Sequence, residues 1–100
     1  MIGPMTLIEL QALIERMYSA KDRARGAVRT FPWFIEEVGE LAAAIAQGDA
    51  EQMAGEFADV LAWLATLANV TGVDLTEAMA KYAGGCPGCG RMTCTCPGKP

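Results

Sequence analysis

The sequence predicts an all-α protein, a four-helix, bundle-like fold built on a central antiparallel helix hairpin and assembled as a homo-oligomer. Three observations carry this. No stretch alternates polar and apolar residues at period two, so strands are not expected. Helix-start pairs occur at Thr6 with Glu9, Asp49 with Gln52, and Asp74 with Glu77. Between these starts, apolar residues recur at helical spacing.

The first helix is expected from Thr6 to about Ala24, with Leu7, Leu10, Ile14 and Met17 as its apolar stripe. A loop containing Gly26 follows, and Thr30-Phe31-Pro32 opens the second helix, since proline is tolerated in a first turn. That helix ends at Gln47-Gly48, where glycine suits the C-terminal cap. The third starts at Asp49 and ends near Asn69, and a short fourth runs from Asp74 to Gly84-Gly85.

A connection of one or two residues makes the second and third helices an antiparallel hairpin. At about 100° per residue each has two apolar stripes. On the second helix Phe34, Val38, Leu41 and Ile45 form a large stripe, and Gly39, Ala43 and Ala46 a small one. On the third the large stripe is Met53, Phe57, Val60, Leu64 and Leu67, and the small one Ala54, Ala58, Ala62 and Ala65. Acidic residues fill the remaining wedge on both. Helices apolar on two sides are usually buried on two sides, and 100 residues are too few to cover both stripes. A partner subunit is therefore expected, as a homodimer or a dimer of dimers.

Composition narrows the function. The chain is 52% hydrophobic, enough for one core, yet no apolar run approaches the roughly 18 residues of a membrane span. The start, Met1-Ile2-Gly3-Pro4, lacks the basic and apolar regions of a secretory signal, so a soluble, cytoplasmic protein without a membrane partner is expected. A net charge of −4 argues against nucleic acid as a partner. With no histidine anywhere, Ser-His and Cys-His nucleophiles and histidine-ligated zinc are excluded.

The charges that remain are concentrated. Five of the twelve acidic residues lie in two motifs, Glu36-Glu37-Val38-Gly39-Glu40 and Glu56-Phe57-Ala58-Asp59. Glu37 with Glu40 and Glu56 with Asp59 are each spaced i, i+3, so each pair projects from one side of its helix. Like charges in that arrangement repel unless a cation lies between them. Oxygen-only ligands suit a hard ion such as Mg²⁺. Such an ion lets carboxylates approach a polyphosphate and acidifies a bound water, supplying a nucleophile without histidine.

The two motifs, separated by 15 residues, resemble the acidic signature of the MazG-type nucleotide pyrophosphohydrolases. The likeness extends from about Leu10 to Tyr82. It takes in Asp59-Val60-Leu61-Ala62-Trp63-Leu64, Leu67-Ala68-Asn69, Gly72-Val73-Asp74-Leu75 and the closing Lys81-Tyr82. The resemblance implies Mg²⁺-dependent cleavage of (deoxy)nucleoside triphosphates to monophosphate and pyrophosphate. By it Glu37, Glu40, Glu56 and Asp59 are the metal ligands, and Glu36 is an additional ligand or the base for the attacking water.

Candidate substrate contacts are Trp33 and Trp63 for the nucleobase, and Lys81 with its neighbour Tyr82 for phosphate. The cluster Lys21, Arg23, Arg25 and Arg29 is a candidate for steering the anion. Each has a structural alternative: core or interface aromatics, a helix C-terminal cation, a solvated basic face. Related enzymes act on phosphoribosyl-ATP, so that substrate is the alternative within the fold. A non-catalytic metal-binding interaction module is the alternative outside enzymology.

The chain departs from the family after residue 83. Where many relatives continue with basic and asparagine residues, it turns at Gly84-Gly85 into a tail, 84–100, separate from the helical domain 1–83. Cys86-x-x-Cys89-Gly90 has the shape of a zinc knuckle, and Cys94-x-Cys96 brings the ligands to four, enough for one structural Zn²⁺. The same ligands suit an iron–sulfur cluster, and a free reduced tail or disulfides are the other readings.

Overall fold

The computed structural model describes residues 3–98. It contains α1 (Leu7–Arg25), α2 (Ala27–Gln47), α3 (Ala50–Thr71) and α4 (Leu75–Met79), continued by a 3-10 turn at Ala80–Tyr82. Among the described residues there is no strand. α3 is the central element, packed against both α1 and α2.

Local signals place most helix ends. Thr6 and Glu9 form the complete capping box of α1. The side chains of Asp49 and Asp74 accept from the backbone N–H of Gln52 and Glu77, at 3.0 and 3.1 Å. α3 ends two residues beyond the expected Asn69, in a Schellman cap. There Gly72 N–H donates to Asn69 C=O and Val73 N–H to Ala68 C=O.

The α1–α2 connection differs from expectation. No loop exists; Gly26 alone joins the helices, and α2 begins at Ala27 rather than at Thr30. The physical reason is the Gly26 backbone, with φ +78° and ψ 165°, a conformation that redirects the chain in one residue and that side-chain-bearing residues resist. Its carbonyl accepts from both the N–H and the hydroxyl of Thr30, at 3.0 and 2.7 Å. Pro32 thus falls in the second turn. The N–H it lacks would have reached Val28 C=O, and Val28 is exposed, so water can satisfy that carbonyl.

The packing face of the helices also differs. The fully buried apolar residues are Ile14, Ala44, Ala65 and Ala68, so the core is built mainly on alanines. α2 turns inward along Thr30, Phe34, Glu37, Leu41 and Ala44; α3 does so along Met53, Glu56, Val60, Trp63 and Leu67. One acid of each motif, Glu37 and Glu56, therefore lies on the packing face, while Glu36, Glu40 and Asp59 stay exposed. Much of both expected stripes stays open: Val38, Ile45, Phe57 and Leu64 are exposed, as are Gly39, Ala43, Ala54 and Ala58. On α1 Met17 is exposed, and the buried line from Ile14 passes to Asp22 instead.

α4 is held by Gln11. Its amide donates to Val73 C=O (2.7 Å) and accepts from Leu75 N–H (2.9 Å), while Asn69 donates to the Gln11 carbonyl (3.1 Å). Gln11→Ala is expected to destabilise the protein by about 1 kcal/mol, the net value of such bonds, in urea denaturation. No change would mean that α4 docks by other contacts.

Candidate metal centre and adjoining cleft

Packing α2 on α3 puts carboxylates from both motifs together. Glu37, Glu56 and Asp59 each offer an oxygen, and the three oxygens lie within 4.8 Å of one another. Glu37 and Glu56 are half-buried, and each has one oxygen, Oε2, shut off from solvent without a hydrogen-bond partner. Glu40 is exposed but close enough for its charge to act on both. Glu36 is exposed on α2 outside the three-oxygen group.

The electrostatic consequence is pronounced. Burial, then the charge of Glu40 and those of Asp59 and Glu56, push the Glu37 carboxyl up to about 7. Glu56 is raised as well, by burial first and then by Glu40 and Asp59. An unpaired buried carboxylate oxygen is costly. The donor set, all hard oxygens with two unsatisfied, fits a divalent cation of the Mg²⁺ type.

A pH dependence follows. Glu37 has an ordinary value of 4.5 and a folded value of about 7, so the folded metal-free protein holds the proton more tightly than the unfolded chain. The stability this contributes is complete below about pH 4.5 and is lost as pH rises through 7. In chelator, the melting temperature is expected to fall across that window, with Mg²⁺ restoring most above it. A flat profile would count against the carboxylate cluster.

Beside the carboxylates, between α1 and α3, is a cleft of about 340 Å³. Asp59 belongs to both the acidic group and the cleft wall, which also includes Lys21, Arg25, Tyr18 and Trp63. Arg25 is positioned by a buried network. It pairs with Asp22 at 2.6 Å, donates through Nε to the Thr30 hydroxyl at 2.7 Å, and lies over the Trp63 ring, 5.2 Å from its centroid. Asp22 in turn accepts from the Thr66 hydroxyl at 3.0 Å.

Other candidates lie elsewhere. Trp33 is exposed and does not line this cleft. Lys81 and Tyr82 are exposed on the 3-10 turn, with Lys81 Nζ 5.3 Å from the Tyr82 ring centroid. That turn follows α4, whose start is fixed at Gln11, roughly 20 Å along α3 from Asp59 at 1.5 Å per residue. Of the basic cluster, Arg23 pairs with Glu15 and Arg29 is exposed outside the cleft.

Sequence reasoning missed Tyr18, Asp22, Thr30 and Thr66. One signal was available for Asp22: it lies eight residues beyond Ile14, two helical repeats along the same face, and three before Arg25.

The tail brings its four cysteine sulfurs within 4.8 Å of one another, all of them free thiols. Backbone N–H groups of Thr95 and Arg91 lower Cys89 to about 6, and those of Cys89 and Gly88 lower Cys86. Hydrogen bonding with Cys94 raises Cys96.

These features define a class: an all-helical protein whose adjoining helices bring together carboxylates that could hold a metal ion, next to a cationic, aromatic-lined cleft. Residues 26–88 match the family model described as the MazG nucleotide pyrophosphohydrolase domain. The match covers well over half of the chain, and the protein belongs to that family. It includes the whole acidic centre, whereas α1, which carries Lys21, Asp22 and Arg25, precedes it. A comparison with curated proteins returned no match. Among the described residues no single helix is long and apolar enough to cross a membrane.

Proposed function

We propose that the protein hydrolyses (deoxy)nucleoside triphosphates to the monophosphate and pyrophosphate with Mg²⁺. One observation carries this reading most strongly. Glu37 and Glu56 each bury an oxygen without a hydrogen-bond partner, and with Asp59 they bring carboxylate oxygens within 4.8 Å of one another, an arrangement that a cation would relieve. Glu37, Glu40, Glu56 and Asp59 would hold the ion, with Glu36 as an outer ligand or base. When bound, Mg²⁺ neutralises charge on the phosphate oxygens and acidifies a water.

The remaining work falls to the chain itself. Lys21 and Arg25 neutralise the polyphosphate beside the carboxylates, and Trp63 offers a stacking face for the base. Trp33, Lys81 and Tyr82, which do not line this cleft, have no part in this reading. In this reading α2 and α3 form an antiparallel hairpin within a helical domain, 1–83. The exposed face of Val38, Ile45, Phe57 and Leu64 is covered by a second copy, giving a homodimer or a dimer of dimers. The tail, 84–100, holds a separate structural Zn²⁺ in a cytoplasm that keeps its thiols reduced.

A panel of ribo- and deoxyribonucleoside triphosphates with Mg²⁺, with and without chelator, tests the activity when monophosphate is resolved from diphosphate. Chelator-sensitive monophosphate with pyrophosphate is expected. Failure with every triphosphate but turnover of phosphoribosyl-ATP moves the assignment to that substrate. Failure with both leaves a non-catalytic module.

The cleft assignment has its own check. Lys21→Ala is expected to raise KM about fivefold with kcat little changed, the ~1 kcal/mol scale of an exposed charge contact. Arg29→Ala, outside the cleft, should leave KM alone. Equal effects would reduce both residues to general steering.

A further inference from the structure

We infer that Cys86, Cys89, Cys94 and Cys96 form a mononuclear tetrahedral tetrathiolate site for Zn²⁺, and that the ion is what folds residues 84–98. This deepens the structural-zinc reading above and does not depend on turnover at the carboxylates. At a Zn–S distance of about 2.3 Å, a tetrahedron has sulfur–sulfur edges of about 3.8 Å. The Cys86 and Cys96 sulfurs are 3.8 Å apart, and all four lie within 4.8 Å of one another. A disulfide needs about 2.05 Å. A polynuclear iron–sulfur cluster binds its cysteines through different irons, with sulfides between, and so needs a wider arrangement.

The backbone is organised around the sulfurs. Gly88 N–H points to Cys86 Sγ at 3.4 Å, Thr95 N–H to Cys89 Sγ at 3.5 Å and Cys96 N–H to Cys94 Sγ at 3.3 Å. Such donors offset the charge of four thiolates on one divalent ion, a centre of net charge −2, and orient the ligands. The loop is tight: a Cβ at Gly88 would come within 3.0 Å of Cys96 Sγ. Cys86 N–H to Arg91 C=O (2.8 Å) and Gly90 N–H to Cys86 C=O (2.7 Å) close the first knuckle.

Beyond these backbone hydrogen bonds the segment has little to hold it. Residues 84–98 contain no helix or strand, and Met92, the one large hydrophobic residue among them, is exposed. A stretch this short has no core of its own, so ligand binding must supply its folding energy. Soft thiolates and hard carboxylates prefer different ions, so the tail site and the Mg²⁺ centre load independently.

The test uses the full chain, reduced and purified without chelator. Elemental analysis and native mass spectrometry are expected to find one zinc per chain. Co²⁺ exchange should give the thiolate charge-transfer and tetrahedral d–d bands. Hydrogen–deuterium exchange after zinc removal should accelerate in 84–98 and leave α1, α2 and α3 unchanged. Cys89→Ser is expected to weaken zinc affinity at least tenfold, and Gly88→Val to do so without removing a ligand. The inference is overturned by a chain that binds no zinc, by iron with acid-labile sulfide, by a mass lowered by disulfide hydrogens, or by a tail equally protected without metal. Loss of the pyrophosphohydrolase reading would look different: no turnover, with zinc still in the tail.

Discussion

Asp59→Asn is expected to lower kcat/KM by on the order of 10³-fold at saturating Mg²⁺, with the fold intact. Asp59 is where the two halves of the site meet, since it contributes an oxygen to the acidic group and lines the cleft beside Lys21, Arg25 and Trp63. An amide keeps the shape but removes the charge that holds a cation. A metal's stabilisation of phosphoryl charge is worth several kcal/mol, which at about 1.4 kcal/mol per tenfold gives that loss. Because Asp59 is exposed, the change costs little in folding. In chelator it should raise the melting temperature, because one of the charges acting on Glu37 and Glu56 disappears. Turnover within tenfold of the unaltered protein would remove Asp59 from the metal ligands.

Asp22→Ala is expected to destabilise the protein by about 2–3 kcal/mol in urea denaturation. Asp22 is 5% exposed and receives both Arg25 and Thr66. Removing it leaves a guanidinium without its anion and a buried hydroxyl without its acceptor. Breaking a buried pair costs about 3–5 kcal/mol; the lower figure applies because the Arg25 side chain is 23% exposed and partly solvated. Against a total stability of about 5–15 kcal/mol for a domain, this is a large change. Asp22→Asn should cost less, since an amide oxygen still accepts from Thr66. If Asp22→Ala changes stability by less than about 0.5 kcal/mol, the scale of an ordinary surface substitution, the network does not hold α1 to α3.

How far the sequence reveals these features depends on the range of the interaction. The capping pairs at Thr6, Asp49 and Asp74 span three residues each, and Gly48 ends α2 by its own backbone preference. Such signals can be read locally, and so can the i, i+3 spacing that gives each acidic pair one side of a helix. Gly26 marks the limit of that approach. A proline that conventionally marks a helix start follows at position 32, yet α2 begins at Ala27, three residues before the expected Thr30, because Gly26 adopts a positive φ and Thr30 bonds back to its carbonyl.

By itself, then, the sequence determined that the chain is helical, where most helices start and stop, that two acidic motifs lie on consecutive helices, and that four thiols cluster after the last turn. Each of these follows from residues within a few positions of one another. Only the tertiary structure decided that three alanines, Ala44, Ala65 and Ala68, are among the most deeply buried apolar residues, that only part of each large stripe turns inward, and that Glu37 and Glu56 do so beside it. It also decided that Asp22, 44 residues before Thr66, joins α1 to α3 and holds Arg25 over Trp63. Those outcomes depend on how far each helix is rotated about its axis when packed, and that rotation is set by the fit of all the facing side chains together.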